Sequence, residues 1–511
     1  MRIVSGSDDD RLIGRFGYRQ QFVRTLRSFE SFAVAFSFIS ITTGIFTTFG
    51  FLLNTAGPAG IWTWPIVIVG QTLVAMVYAS LAARMPLAGY SYQWASRLAN
   101  PVVGWWLGWL SFSFLSIVTV SVDYAFVQVA FQPMLGLTYT PTSAALITLG
   151  VLAVQAAMII SSTLITTRVN NAAVIFEVVG IVELSIVLLS AALLASQGDW
   201  GNLWSTGIVP KAGWFAWLGP FMLATLLGAY TIVGFESASN LSEETQEPRR
   251  VVPRAMVRSV VASGVIGMVF LITLCVAVGD VKAASADAAP VAFVLRETLG
   301  GSIEKVFLLF ICVSIFCCGL VIMATNSRLA WSMARDRRLL GHTFLARVPK
   351  ATGGPTWATV FVAGVSAAIV LVLRTNTTAL VSLFTASTLM PAILYTGTVV
   401  LYVATARRVG RDADPRYFHL GRWEGPVVTG ALIWLVYELV ILLGPAQFRS
   451  AQQYAAGTVV FGLVVFGVLW FLEPEAMRTM PGVHGEQALE AESPDGSSPD
   501  SDVAMEWEMG R

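Results

Sequence analysis

Two short polar, glycine-bearing stretches interrupt apolar runs in this chain. The first is Ser40-Ile41-Thr42-Thr43-Gly44-Ile45; the second runs from Gly228 through Tyr230, Thr231, Ile232 and Gly234 to Glu236. At membrane depth, unwound backbone survives only where protein or a water-filled cavity satisfies its polar groups. A helix that restarts near Thr43-Gly44-Ile45 presents unpaired N–H groups and a positive dipole end, which suits a carboxylate. A helix that stops near Ser40-Ile41, and another that stops near Tyr230-Thr231-Ile232, leave free carbonyls that suit an ammonium group. Together these ends complement an amino acid zwitterion. Gly44 lets the backbone approach such a ligand without a Cβ in the way.

Carboxylates inside the apolar runs are the next candidates, because an ionisable residue in a membrane span is a functional candidate by default. Glu236 follows Gly234 closely and either holds the broken backbone by hydrogen bonds or carries a proton. Glu177 has three readings: a proton site, a cation site or a partner for a substrate amine. Asp123 is a further coupling candidate, and like Glu183 and Glu438 it also reads as a structural hydrogen-bonding group. Glu30 reads as interfacial. His342, His419 and His484 fall in loops or the tail, so neither a metal cluster nor a histidine relay is expected. No phosphate-cradling loop is present. An enzyme, a cofactor and a nucleic-acid partner are therefore not expected.

The elements that position these residues follow from composition. The chain has 511 residues, 55% hydrophobic and 12% charged, against about 25% charged in soluble domains. Twelve apolar runs are long enough to span a bilayer, near 31–53, 61–83, 102–131, 143–161, 172–195, 214–241, 255–279, 302–327, 355–373, 379–404, 425–444 and 454–472. With a cytoplasmic N-terminus, 26 of the 32 Lys and Arg residues fall on the inner side and 6 on the outer. The positive-inside rule thus supports twelve spans with both termini cytoplasmic. No stretch looks like a cleavable signal peptide, so the first span is expected to serve as the insertion signal.

The organisation expected is a cytoplasmic N-terminal segment (1–29), a transmembrane domain (30–472) and a disordered acidic cytoplasmic tail (473–511). The interrupted runs are the first and the sixth. Five spans in each half, an odd number, place the second half in the opposite sense, which is the arithmetic of an inverted repeat covering 30–200 and 210–405, with two spans over 425–472 left over. The proline and helical spacing of Pro290–Leu299 predict a short amphipathic helix over the outer face. Cys275, Cys312, Cys317 and Cys318 read as small packing residues, Gly104 and Gly108 as a close-approach pair, and Trp62, Trp64 and the tryptophans of the third span as an interfacial belt.

Four fragments in order resemble one family. Gly234-Phe235-Glu236-Ser237-Ala238-Ser239-Asn240-Leu241-Ser242-Glu243-Glu244-Thr245, followed by Pro248-Arg249-Arg250 and Pro253-Arg254-Ala255, resembles the sixth-helix signature of the amino acid–polyamine–organocation (APC) transporter superfamily. Thr43-Gly44-Ile45-Phe46 resembles its first-helix break. Arg84-Met85-Pro86-Leu87-Ala88-Gly89-Tyr90-Ser91-Tyr92 resembles the loop into its third helix, and Asn326-Ser327-Arg328 with Met333-Ala334-Arg335-Asp336 the end of its eighth. The first break is most similar to the amino acid/choline group, which includes 4-aminobutyrate permeases, although many members have glycine where Thr42 stands.

The resemblance, over roughly Phe29 to Leu472, implies an all-α integral membrane fold of twelve helices with a LeuT-like five-plus-five inverted repeat and broken helices 1 and 6. It implies a secondary active permease of the plasma membrane that imports an amino acid or small amine, with a proton as the coupling ion. An exchanger without net ion coupling, or a membrane sensor that binds an amino acid without moving it, are the rivals. It places Tyr230 as an aromatic gate above the substrate, and Glu177 where some proton-coupled relatives carry a lysine. The run from Glu243-Glu244 to Arg249-Arg250 is then either a solvated loop or an inner gate pairing with Arg24 or Arg27.

Overall fold

The hydroxyl-rich first run folds as two helices end to end, α1 (Ser28–Ile39) and α2 (Ile41–Thr55). Ser40 alone separates them. Its φ of 35° lies in the left-handed region, which non-glycine residues enter at a cost of about 1–3 kcal/mol. Its side chain lowers that cost by accepting a hydrogen bond from the Thr43 N–H at 3.3 Å. This computed structural model describes residues 13–161, 163–194, 198–349, 352–374, 379–411 and 416–482.

Helices make up the regular structure among the described residues. Eleven of them, counting α1 and α2 as one, are long and apolar enough to cross a membrane. Those that frame the site are α3 (Trp64–Arg84), α4 (Tyr90–Leu98), α5 (Pro101–Ala125), α6 (Pro141–Ser161), α7 (Thr163–Leu194), α8 (Pro220–Thr231), α9 (Ser237–Asn240), α10 (Pro248–Ala277), α11 (Pro290–Leu299), α12 (Gly301–Arg335), α13 (Thr356–Leu373) and α14 (Ala379–Arg411). Two further long helices cover Glu424–Leu443 and Arg449–Leu472.

The sixth expected span, 214–241, differs from the rest. Its helical core is α8, 12 residues and so about 18 Å long, well short of the roughly 30 Å hydrocarbon layer. The chain then leaves helix geometry between Ile232 and Glu236 and resumes as the single turn α9. Gly234 turns the chain at φ 89°, and a Cβ there would overlap the Phe38 ring of α1, so both conformation and packing require glycine.

The two ends of the bundle are distinct. At one end α11 begins at Pro290, as its sequence predicts, and packs over α2 and α7. At the other, the chain's two terminal segments meet. Leu26 forms a bridge with Thr245, and Gly17 lies against Gly482. Buried Arg338 donates from Nε to the Ala476 carbonyl at 3.0 Å and from its terminal nitrogen to the Thr479 carbonyl. The segment assigned to the tail from Glu473 therefore starts with a docked helical turn, Pro474–Arg478. Residues 483–511 and 1–12 lie outside the described residues.

The tryptophans correct one expectation. Trp64 and Trp105 are core residues, 1% and 0% exposed. Each indole N–H finds an internal carbonyl, Gly264 at 2.8 Å and Arg338 at 3.1 Å respectively, which removes the main cost of burying it. Trp62 remains partly exposed and stacks on Trp204.

Candidate functional site

The two broken helices meet. Gly44, in the first turn of α2, faces Thr231 at the end of α8, and a Cβ on Gly44 would sit 2.5 Å from the Thr231 Cβ. Beside this contact is a cavity of about 20 Å³, lined by Phe38, Ile39, Thr43, Gly44, Val118, Val122, Tyr230, Thr231, Val233, Cys318, Ile322 and Ser387. That holds about one water, so the site is closed in this conformation. Tyr230 covers it: its hydroxyl is 3.2 Å from Ser121 Oγ and its ring meets the Phe384 ring edge-on at 5.9 Å.

The helix start lies two residues earlier than its sequence suggests, at Ile41. Gly44 N–H makes the first bond of α2, to the Ser40 carbonyl, so the amides of Ile41, Thr42 and Thr43 are those a helix leaves over. The carboxylate of Glu177, from α7, sits on that end. Its Oε1 accepts from Ser40 Oγ at 3.0 Å, Thr42 N–H at 3.2 Å and Thr42 Oγ1 at 2.9 Å. The positive pole thus holds an anion that the chain itself supplies. Glu177 is buried, and among the described residues no Lys, Arg or His acts on it. Opposite, α8 ends with Ile232 N–H bonding to the Gly228 carbonyl, which leaves the carbonyls of Ala229, Tyr230 and Thr231 beyond the last helical bond.

The other expected site residues divide by role. Ser40 and Thr42 are engaged with Glu177 and do not line the cavity; Ile41, Ile45 and Ile232 are fully buried packing residues. Glu236 braces the second break. Tyr395 of α14 donates to its Oε2 at 2.7 Å and accepts from the Gly234 N–H at 3.2 Å. Asp123 is buried behind the cavity wall, accepting from Gln155 at 2.8 Å while Gly319 packs against it. Besides Ile39 and Val233 at the two breaks, the rest of the lining comes from Phe38, Val118, Val122, Cys318, Ile322 and Ser387. They are small or apolar residues in apolar helices, and nothing in the sequence distinguishes them from core.

The acidic pair after α9 is buried, not solvated, and its partners differ from those expected. Glu243 takes two bonds from Arg335, at 3.0 and 3.1 Å, and Glu244 is bound by Arg328 at 2.9 Å. Both arginines lie in the last two turns of α12, whose face there is buried. Arg27 is exposed, and Arg24 instead reaches the Thr245 carbonyl at 2.9 Å. Above the pair, Arg335 stacks 3.8 Å from the Tyr18 ring centre, and Tyr18 and Tyr92 donate to Asp336 at 2.9 and 2.8 Å. Burial, and then the Asp336 charge, hold the Tyr18 phenol well above its ordinary value, so it stays a donor. The terminal segment, α4 and α12 are joined by this polar layer.

Known proteins supply independent evidence. The family described as amino acid permease matches residues 26–467. An uncharacterized amino-acid permease of Schizosaccharomyces pombe is 26% identical, over 92% of this chain and 86% of its own length. Amino-acid permease BAT1 of Arabidopsis thaliana is 25% identical, over 89% and 92%. Amino-acid permease 2 of Neurospora crassa is 24% identical, over 95% and 91%.

Proposed function

This chain belongs to the amino acid permease family of the APC superfamily, and on that premise we propose that it is a secondary active transporter. In this reading it imports an amino acid or related small amine across the plasma membrane by alternating access, coupled to a proton. Its termini face the cytoplasm, and its fold is the twelve-helix inverted repeat with helices 1 and 6 broken.

One observation carries the reading: two half-helix ends of opposite polarity are brought into contact at Gly44 and Thr231 around a small closed cavity. Ser40, Thr42, Thr43 and Gly44 would receive the substrate carboxylate, while Tyr230, Thr231 and the free carbonyls of α8 would receive the amine. Tyr230 would close the outer side. The Glu243–Arg335 and Glu244–Arg328 pairs would close the inner side and break when that side opens. Glu177 is the coupling carboxylate, Glu236 the brace of the second break and Asp123 the reserve candidate. A rocking of one helix bundle against the rest would expose the site alternately.

The test is uptake of labelled amino acids into proteoliposomes. Accumulation driven by an inward proton gradient, without internal substrate, supports proton-coupled import. Uptake that requires internal substrate identifies an exchanger, and binding without uptake identifies a sensor; either result overturns the proposal.

A further inference from the structure

We infer that the substrate's carboxylate and the Glu177 side chain compete for one helix end, and that Glu177 yields it by taking up a proton, so that each zwitterion bound brings one proton with it. The inference rests on the proposed transport reading and deepens it.

The argument starts from occupancy. The leftover donors at the start of α2 are few. Thr43 N–H is turned to Ser40 Oγ, while Thr42 N–H, Thr42 Oγ1 and Ser40 Oγ all converge on one oxygen of Glu177. A half-helix end carries about half an elementary charge. It can compensate one carboxylate, not two. Two carboxylates forced onto one site cannot both ionise, and one of them takes a proton.

Among the described residues, no cationic side chain acts on Glu177 to relieve the conflict. The groups that face Glu177 are the hydroxyls of Ser40 and Thr42 at the break and of Ser314 on α12. Cys317 and Cys318 of α12 lie within electrostatic range, and Cys318 also senses Asp123 of α5. The other helices packed on α7, namely α1, α6, α10 and α11, add no charged group to those acting on Glu177. The buried arginines belong to the far end of α12 and the loop after it. A proton is therefore the available counter-charge. The balance is simple: Glu177 carboxylate plus one proton gives the carboxylic acid, the side chain leaves the helix end, and the zwitterion's carboxylate takes its three donors. Release inside reverses the exchange and frees the proton there.

This assigns a sign to pH. A zwitterion binds best when Glu177 is protonated, so above that range its apparent affinity falls about tenfold per pH unit, the slope of one proton taken up. An amine without a carboxylate has the opposite preference, because ionised Glu177 is its counter-charge.

The experiment measures binding to the purified full chain by thermal shift and calorimetry across pH. Its probes are the twenty amino acids and 4-aminobutyrate, each beside its decarboxylated amine. The expected result is tighter amino acid binding as pH falls, with about one proton taken up per ligand in buffers of different ionisation enthalpy. In Glu177→Gln, which keeps the shape without the charge, the affinity should lose its pH dependence and match the wild type's low-pH value. Amino acid binding that is flat with pH, or that releases protons, would overturn the inference and leave the transport reading standing. Amine binding that tightens as pH falls, in parallel with the amino acids, would overturn it as well. If neither an amino acid nor an amine binds to either protein, the transport reading itself falls. The wild-type measurements stand alone if the variant does not fold.

Discussion

Gly44→Ala is the smallest change that separates this arrangement from ordinary helix packing. In an isolated helix the substitution should stabilise, since glycine is about 1 kcal/mol worse than alanine in a helix interior. Here the new Cβ would lie 2.5 Å from the Thr231 Cβ, far inside van der Waals contact. Overpacking of that kind costs about 1–3 kcal/mol. It falls on the closed arrangement in which the two breaks touch, so the closed state should lose about 5- to 150-fold in population. Cys318 lines the cavity and reports its opening. In a Cys275→Ala, Cys312→Ala, Cys317→Ala background, a membrane-permeant maleimide should modify Cys318 faster by that factor when Gly44 is alanine, and the melting temperature should fall. Thr231→Gly removes the three nearest clashing atoms and should restore both values by half or more. Unchanged labelling and an unchanged or higher melting temperature in Gly44→Ala would refute the contact.

Three other predictions concern the walls of the site. Tyr230→Ala should impair transport severely and Tyr230→Phe mildly, because only the hydroxyl bond to Ser121 is lost; equal small effects in an uptake assay would return Tyr230 to packing. Arg335→Gln leaves Glu243 buried without its cation, a change that costs about 3–5 kcal/mol, and should raise Cys318 labelling from the inner side; labelling as slow as wild type would remove the pair from the gate. Tyr395→Phe strips the donor from Glu236 and the acceptor from the Gly234 N–H. At about 1–3 kcal/mol per buried group left unsatisfied, it should lower the melting temperature by several degrees, and an unchanged melt would mean that the second break is braced elsewhere.

Much of this was legible in the chain because each feature broke a local rule. Thr42-Thr43-Gly44 and Gly234 are costly inside apolar runs, and the structure interrupts the first helix at Ser40, just before that stretch, and the second at Gly234. Pro290 set the start of α11. The first half-helix ends beside Ser40, as its sequence suggests, but the next restarts at Ile41 and not near Thr43, because Ser40 alone takes the unusual backbone angle, its hydroxyl capping Thr43. Glu243 and Glu244 pair neither with solvent nor with Arg24 or Arg27, the partners the resemblance suggests, because the buried face of α12 brings Arg335 and Arg328 to them. Glu177 on the helix end is a contact 135 residues apart in sequence, and the spacing of residues carries no trace of it. The cavity lining was illegible for a different reason: valine, isoleucine and phenylalanine look alike whether they face a neighbour or a ligand.

The central claim is that the substrate lies between the two broken helices, and a structure of the protein with a transported amino acid bound tests it most directly. The account predicts the ligand's carboxylate at hydrogen-bonding distance from the Thr42 amide and the Thr42 and Ser40 hydroxyls, its amine at the Tyr230–Thr231 carbonyls, Glu177 withdrawn from the end of α2, and Gly44 parted from Thr231. A ligand bound elsewhere, with Glu177 still on Ser40 and Thr42 and the two breaks still in contact, would contradict it.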